Sequence, residues 1–294
     1  MDTELSLAEV AEMARTLDAD ITVIPDGDRY LWESIIHGWR GKGRLNLLAM
    51  RPSAQPNGNW VREAAITGVK RLRLLAANCR AGVAAYALRS PLGRTPGLGK
   101  WVHDPVTLTA TIDDVNRVRS ELLDVADGHW VAVVGSITER KNLELVGRSL
   151  LGVTGANLLL AGKIEPSALA KAHAALSDLR DAGVSVIQWN RPLTDREFDA
   201  VIGAVDCIVA AHTNEGPSGV VSKAAAAGTR LVLAGAHSLR RDAKILGRTR
   251  AYWCRLDTAE LRAALVKSLA APAPLPLAGF GSSRFTAALL KGDS

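Results

Sequence analysis

Residues Glu215-Gly216-Pro217-Ser218-Gly219-Val220-Val221-Ser222-Lys223-Ala224-Ala225-Ala226-Ala227-Gly228 follow closely on the apolar run Cys207-Ile208-Val209-Ala210-Ala211. The order reads as a buried strand, a tight turn of small residues, and a helix. Its opening residues, Ser218 to Val221, leave backbone N–H groups without intrahelical acceptors, and such a helix start attracts anions. Ligands of open α/β sheets lie at the carboxyl ends of the strands. Glu215, beside that turn, would therefore meet a ligand carrying both hydroxyls and phosphate. A nucleotide sugar has both.

The same rhythm extends on either side of this stretch. Trp130 to Val134, Asn157 to Ala161, Val184 to Ile187, Cys207 to Ala211 and Leu231 to Ala234 are continuous β-branched or aliphatic runs of strand length. Such runs belong to parallel strands covered on both faces. Between them lie helical windows with start signals, Thr194-Asp195-Arg196-Glu197 and Asp257-Thr258-Ala259-Glu260, which read as capping boxes. A doubly wound sheet is the economical arrangement.

Upstream, Leu5 to Leu17 reads as a helix, Asp20 to Ile24 and Leu45 to Ala49 as strands, and Val61 to Cys79 as a long helix. Ser90 to Gly99 is dense in turn formers and leads into Trp101-Val102-His103-Asp104-Pro105. An interdomain hinge is expected between there and Gly128, giving domains 1–127 and 128–294. Ala270 to Pro276 reads as an extended loop. Ser282 to Lys291 reads as a last helix crossing back to the first domain.

At 294 residues the chain is long enough for two ordinary domains. No apolar run approaches the roughly 20 residues that span a bilayer, and no secretory leader pattern opens the chain. A cytoplasmic protein is expected. The three cysteines, Cys79, Cys207 and Cys254, lie far apart, which excludes a zinc-ligand spacing and argues against a disulfide framework. No metal is expected. The net charge of +6 admits nucleic acid, an anionic membrane surface or an anionic small ligand. No basic run is interleaved with aromatics, so the stacking platform of a single-strand binder is missing.

Over about residues 128–270 the chain resembles the C-terminal domain of retaining GT-B glycosyltransferases, which take sugars from nucleotide diphosphate donors. Three patches carry the resemblance. In Val133-Val134-Gly135-Ser136-Ile137-Thr138-Glu139-Arg140-Lys141-Asn142, Lys141 matches the family's diphosphate-binding lysine. Ser136 stands where an arginine often follows Gly135, and Arg140 supplies a second charge nearby. Leu158 to Lys163 is similar to a strand ending in glycine. In the third patch Glu215 matches the carboxylate that meets sugar hydroxyls, and the amides from Gly216 to Val220, with Ser218 and Gly219 among them, match those holding sugar and β-phosphate. Eight residues on, the family places a ribose-binding glutamate, and this chain has Lys223. An ammonium cannot accept the ribose hydroxyl protons. It would favour a phosphate or carboxylate in the donor pocket.

The resemblance implies a GT-B-like α/β fold of two Rossmann-like domains with parallel sheets facing a cleft, the N-terminal one shortened. It implies a retaining transferase of hexosyl or pentosyl type, with Glu215, Lys141, Arg140 and His212 as catalytic candidates and no cofactor or metal beyond the donor. His212 enters because it ends the strand three residues before Glu215. His103 is a weaker cleft candidate. The departures at Ser136 and Lys223 favour a rival reading, a binding or scaffold subunit with a degenerate donor site. A sugar transferase acting on modified nucleic acid is a third. The acceptor and the oligomeric state have no signal in the sequence. Gly216-Pro217-Ser218-Gly219 is one residue short of a nucleophile elbow, and no phosphate loop of kinases or nicotinamide enzymes occurs.

Overall fold

The computed structural model describes residues 5–50, 60–89, 91–92, 99–215, 218–277 and 282–291. They form two compact units, one of residues 1–105 with 281–294 and the other of 106–280. The segment expected as a turn-rich linker, 90–99, falls largely outside the described residues.

In the first unit the elements are α1 (Leu7–Thr16), β1 (Ile21–Ile24), α2 (Tyr30–His37), β2 (Arg44–Ala49), α3 (Trp60–Asn78), β3 (Val83–Arg89) and β4 (Lys100–His103). The sheet runs β1-β2-β3-β4 and every pairing is parallel. Strand alternation sends Leu45, Leu47, Val83 and Ala85 to one face, where they pack with Leu7, Leu31, Leu74 and Ala77. Leu48, Ala84, Tyr86 and Val102 face the other way and pack with Phe285 and Leu289 of the last helix, α11 (Ser282–Lys291). Asn46, buried within β2, donates its side-chain amide to the Leu289 carbonyl. The C-terminal helix thus covers the second face of the first unit's sheet.

The second unit comprises α4 (Ile112–Val125), β5 (His129–Val134), the 3-10 turn Glu139–Lys141, α5 (Leu143–Leu150), β6 (Ala156–Ala161), α6 (Pro166–Asp181) and β7 (Val186–Trp189). It continues with α7 (Asp195–Ala204), β8 (Cys207–His212), α8 (Gly219–Ala227), β9 (Arg230–Gly235), α9 (His237–Leu246), β10 (Ala251–Cys254) and α10 (Thr258–Ala270). The strand order is β10-β9-β8-β5-β6-β7, all parallel. Both faces of the central strands are dry. Val131, Val133, Leu158, Leu160 and Val209 pack with Val146, Leu176 and Leu265 of α5, α6 and α10. The alternate residues Trp130, Ala132, Leu159 and Ile208 are equally buried on the opposite face. That explains why these strands read as unbroken apolar runs.

The division between units falls at 105/106 and not at 127/128, because α4 packs on α7 of the second unit. Strand β7 lies two residues beyond the expected 184–187. The Thr194 capping box is present, as are two others at Ser6 and Thr111. At Asp257 only half of the expected box forms. Its side chain caps α10, while the Glu260 carboxylate turns to Arg255. No described helix is long and apolar enough to cross a membrane.

Candidate functional site

In the second unit the strand sequence reverses direction between β5 and β8, which are neighbours in the sheet. Such a switch point opens a crevice at the carboxyl edge, because the two following connections diverge to opposite sides. Gly135 leaves β5 at that edge, and His212 ends β8 beside it. Glu215 lies three residues further on. The expected placement of Gly135 and Glu215 on one edge is found.

From β5 the chain passes through Gly135, whose φ of 92° suits glycine, then exposed Ser136 and the 3-10 turn carrying Arg140 and Lys141. Asn142 closes the turn in the left-handed conformation, and its amide nitrogen donates to the Ala211 carbonyl of β8 at 2.9 Å. This bond ties the two sides of the switch point. Lys141 folds back over the strand end and donates to the Val134 carbonyl. Its ammonium sits 3.4 Å from where a Cβ on Gly135 would be, in ordinary contact. Burial, then the neighbouring Arg140, lowers the Lys141 pKa to about 8. Arg140 is exposed and has no side-chain partner among the described residues.

Across the switch point, His212 is buried and its Nδ1 lies 3.2 Å from the Asn214 carbonyl. A carbonyl only accepts, so Nδ1 carries a proton. Burial lowers the His212 pKa against the help of that bond, and the charges of Lys141 and Arg140 lower it further. At neutral pH the ring is therefore uncharged, with a lone pair on Nε2 that can accept a hydrogen bond.

Helix α8 starts as expected. Ser218 caps it, its hydroxyl accepting from Val221 N at 3.4 Å, while Ser222 N reaches Ser218 O. The first amides, of Gly219 and Val220, have no intrahelical acceptor. Space beside Gly219 is open, since an added Cβ would meet nothing within 4 Å. Gly216 lies outside the described residues.

Two expected site residues are engaged elsewhere. The Glu215 carboxylate accepts from His237 N at 2.6 Å and Ser238 N at 2.7 Å, and so caps α9, whose own cap residue Ala236 offers no side chain. Lys223, expected to present a free ammonium to the donor, instead binds Asp199 of α7 at 2.5 Å and lies over the Phe198 ring. Asp199 is almost fully buried and also accepts from Thr109 N and Oγ1 at 2.7 and 3.0 Å. A buried carboxylate attracts the nearest cation, and one turn into α8 that cation is Lys223. Asp199 and Phe198 were not singled out by sequence. Within a helical window, nothing distinguishes an inward aspartate from a solvated one.

No protein-family model and no curated protein matches the sequence. Solved structures match over both units. Anabaena Alr3699/HepE, in complex with UDP and glucose, aligns with a TM-score of 0.61 at 14% identity, over 90% of this chain and 71% of that one. The α,α-trehalose-phosphate synthase (UDP-forming) from Burkholderia xenovorans, in complex with glucose-6-phosphate, aligns at 0.60 and 9% identity, over 91% and 70%. Sucrose-phosphate synthase from Thermosynechococcus elongatus aligns at 0.58 and 15%, over 92% and 71%. The likeness at these identities is one of fold. The chain has the α/β fold of GT-B glycosyltransferases, each unit built on a parallel sheet.

Proposed function

We propose that this protein is a glycosyltransferase that takes a sugar from a nucleotide diphosphate donor held at the switch point of the second unit. The observation that carries the reading is the convergence there of the α8 amino terminus with Lys141 and Arg140. Helix amides favour an anion, and two cations across the crevice stabilise charge gathering on a departing diphosphate. HepE and trehalose-phosphate synthase, which share the fold, are described with UDP and as UDP-forming. That supports a uridine diphosphate sugar as the first donor to try.

The neutral His212 Nε2 is suited to hold a sugar hydroxyl. Retention fits a site where Glu215, the carboxylate that follows β8, is held by the α9 amides, the leaving phosphate itself accepting the acceptor's proton. In this reading the protein contributes positioning and charge more than a covalent step. We assign no metal, and no acceptor.

Calorimetric titration with UDP and with UDP-glucose tests the proposal. Binding that weakens by about 2 to 4 kcal/mol in Arg140→Ala with Lys141→Ala supports it, each charge-assisted contact being worth about 1.5 kcal/mol or more. Unchanged affinity in that variant removes the cation pair from the site. A second reading, a binding or scaffold subunit, is favoured by the internal engagement of Glu215 and Lys223. Tight nucleotide binding without donor turnover across an acceptor panel would select it.

A further inference from the structure

The outward side of α3 departs from the ordinary pattern of a surface helix. Leu74 and Ala77 face the core of the first unit, which fixes the rotation of the helix. At 3.6 residues per turn, Val61, Ala65, Val69, Leu72 and Ala76 fall on the opposite side, and all five are exposed. Leu72 is 65% exposed and Val61 57%. The solvent side of an amphipathic helix is normally polar. Exposed Arg62 and Arg73 border this stripe on one flank and Arg71 on the other, while the one carboxylate of α3, Glu63, lies on the core-facing side. Helix α2 packs alongside and adds Trp32 and Ile36, both about half exposed, with the Arg73 guanidinium 5.3 Å from the Trp32 ring centre.

We propose that this face of the first unit docks on a membrane surface rich in anionic lipid. The apolar stripe enters the boundary between headgroups and acyl chains, the arginines meet lipid phosphates, and Trp32 sits at the headgroup level. Charge decides among the occupants. A second copy docked symmetrically would set arginines against arginines. A nucleic acid would satisfy the arginines but leave the stripe of Val61, Val69 and Leu72 in water. An anionic bilayer satisfies both. With no described helix able to span, the contact is a surface one. The inference is independent of the donor reading.

Co-sedimentation of the full chain with vesicles of phosphatidylcholine, alone or mixed with phosphatidylglycerol, tests it. The protein is expected to partition onto the mixed vesicles and to be released by added salt. Arg71→Gln with Arg73→Gln should lower partitioning about 30-fold, at the energy typical of a basic residue near an anionic surface. Val69→Glu with Leu72→Glu should lower it at least as far. All four side chains are exposed, and circular dichroism with thermal unfolding verifies that the variants stay folded. Equal partitioning onto both vesicle types, or no response to either pair of changes, overturns the proposal. So does a dimer in light scattering that Leu72→Glu splits, since the face would then join two copies.

Discussion

The Lys223 ammonium lies 2.5 Å from the Asp199 carboxylate, 24 residues away in sequence, and Asp199 holds Thr109 through its other oxygen. One buried acid thus joins α8, α7 and the segment entering α4. Where the sequence resemblance implied a ribose-binding glutamate, the structure has a lysine paired inside the protein.

Removing one partner of a buried pair leaves the other charge uncompensated. Lys223→Met should therefore cost about 3 kcal/mol in urea unfolding, and Asp199→Asn added to it should recover much of that loss. Lys223→Glu, which places there the glutamate implied by the resemblance, sets a second carboxylate against Asp199 and should destabilise at least as much. It should gain ribose affinity only together with Asp199→Asn. Equal stability of wild type and Lys223→Met would show the pair to be energetically idle.

Glu215 does for α9 what Ala236 cannot. Glu215→Ala strips the cap from two amides and should lower stability by about 1 to 2 kcal/mol, the range for loss of an N-cap. Glu215→Gln keeps one acceptor oxygen and should cost less. If the carboxylate also meets sugar hydroxyls, both variants will lose donor turnover beyond what their folded fraction explains. Turnover that tracks the folded fraction would leave Glu215 with capping alone.

What could be read from sequence follows from how far each interaction reaches along the chain. Strands β5, β6, β8 and β9 declared themselves because burial on both faces demands unbroken aliphatic runs. The α8 start was legible because its turn residues and cap are adjacent. β10, the four residues Ala251 to Cys254 at a sheet edge, carries too short a run. β3, at Val83 to Arg89, is rich in alanine, a poor strand former. The engagement of Glu215 depends on a helix that begins 22 residues later, and that of Lys223 on an acid in the preceding helix, 24 residues earlier. Neither is visible in local pattern, so both side chains read as free. Unit membership failed likewise at α4 and at α11, which was expected to cross back to the first domain but was counted in 128–294, whereas its apolar side chains cover the second face of the first sheet.

The His212 ring should be observable directly. Its Nδ1 proton, held by the Asn214 carbonyl, fixes one neutral tautomer. Long-range nitrogen–proton correlation spectra of the labelled protein at pH 7 should show Nδ1 protonated and Nε2 bare. Because burial lowers its pKa, titration should occur below that of an exposed histidine. A ring that titrates at the ordinary value or above would mean that water reaches it, and that the charges of Lys141 and Arg140 do not act on it.

Lys141 makes the donor reading testable through protons. Its folded pKa is depressed to about 8 from 10.5. Below about 8 the group is cationic although the fold disfavours the charge, so it subtracts from stability there. That penalty fades as pH rises between about 8 and 10.5, where the unfolded chain binds more protons than the native one. A diphosphate beside the ammonium would favour the charged form and raise the pKa again. At pH 8 the binding of UDP should therefore take up a fraction of a proton, seen as a dependence of the calorimetric enthalpy on the buffer's ionisation enthalpy. Affinity should fall as pH rises from 7 to 9. Both effects should vanish in Lys141→Met, which keeps the length of the side chain. Binding with no proton uptake in the wild type would place the diphosphate away from Lys141 and leave the α8 amino terminus without its cation.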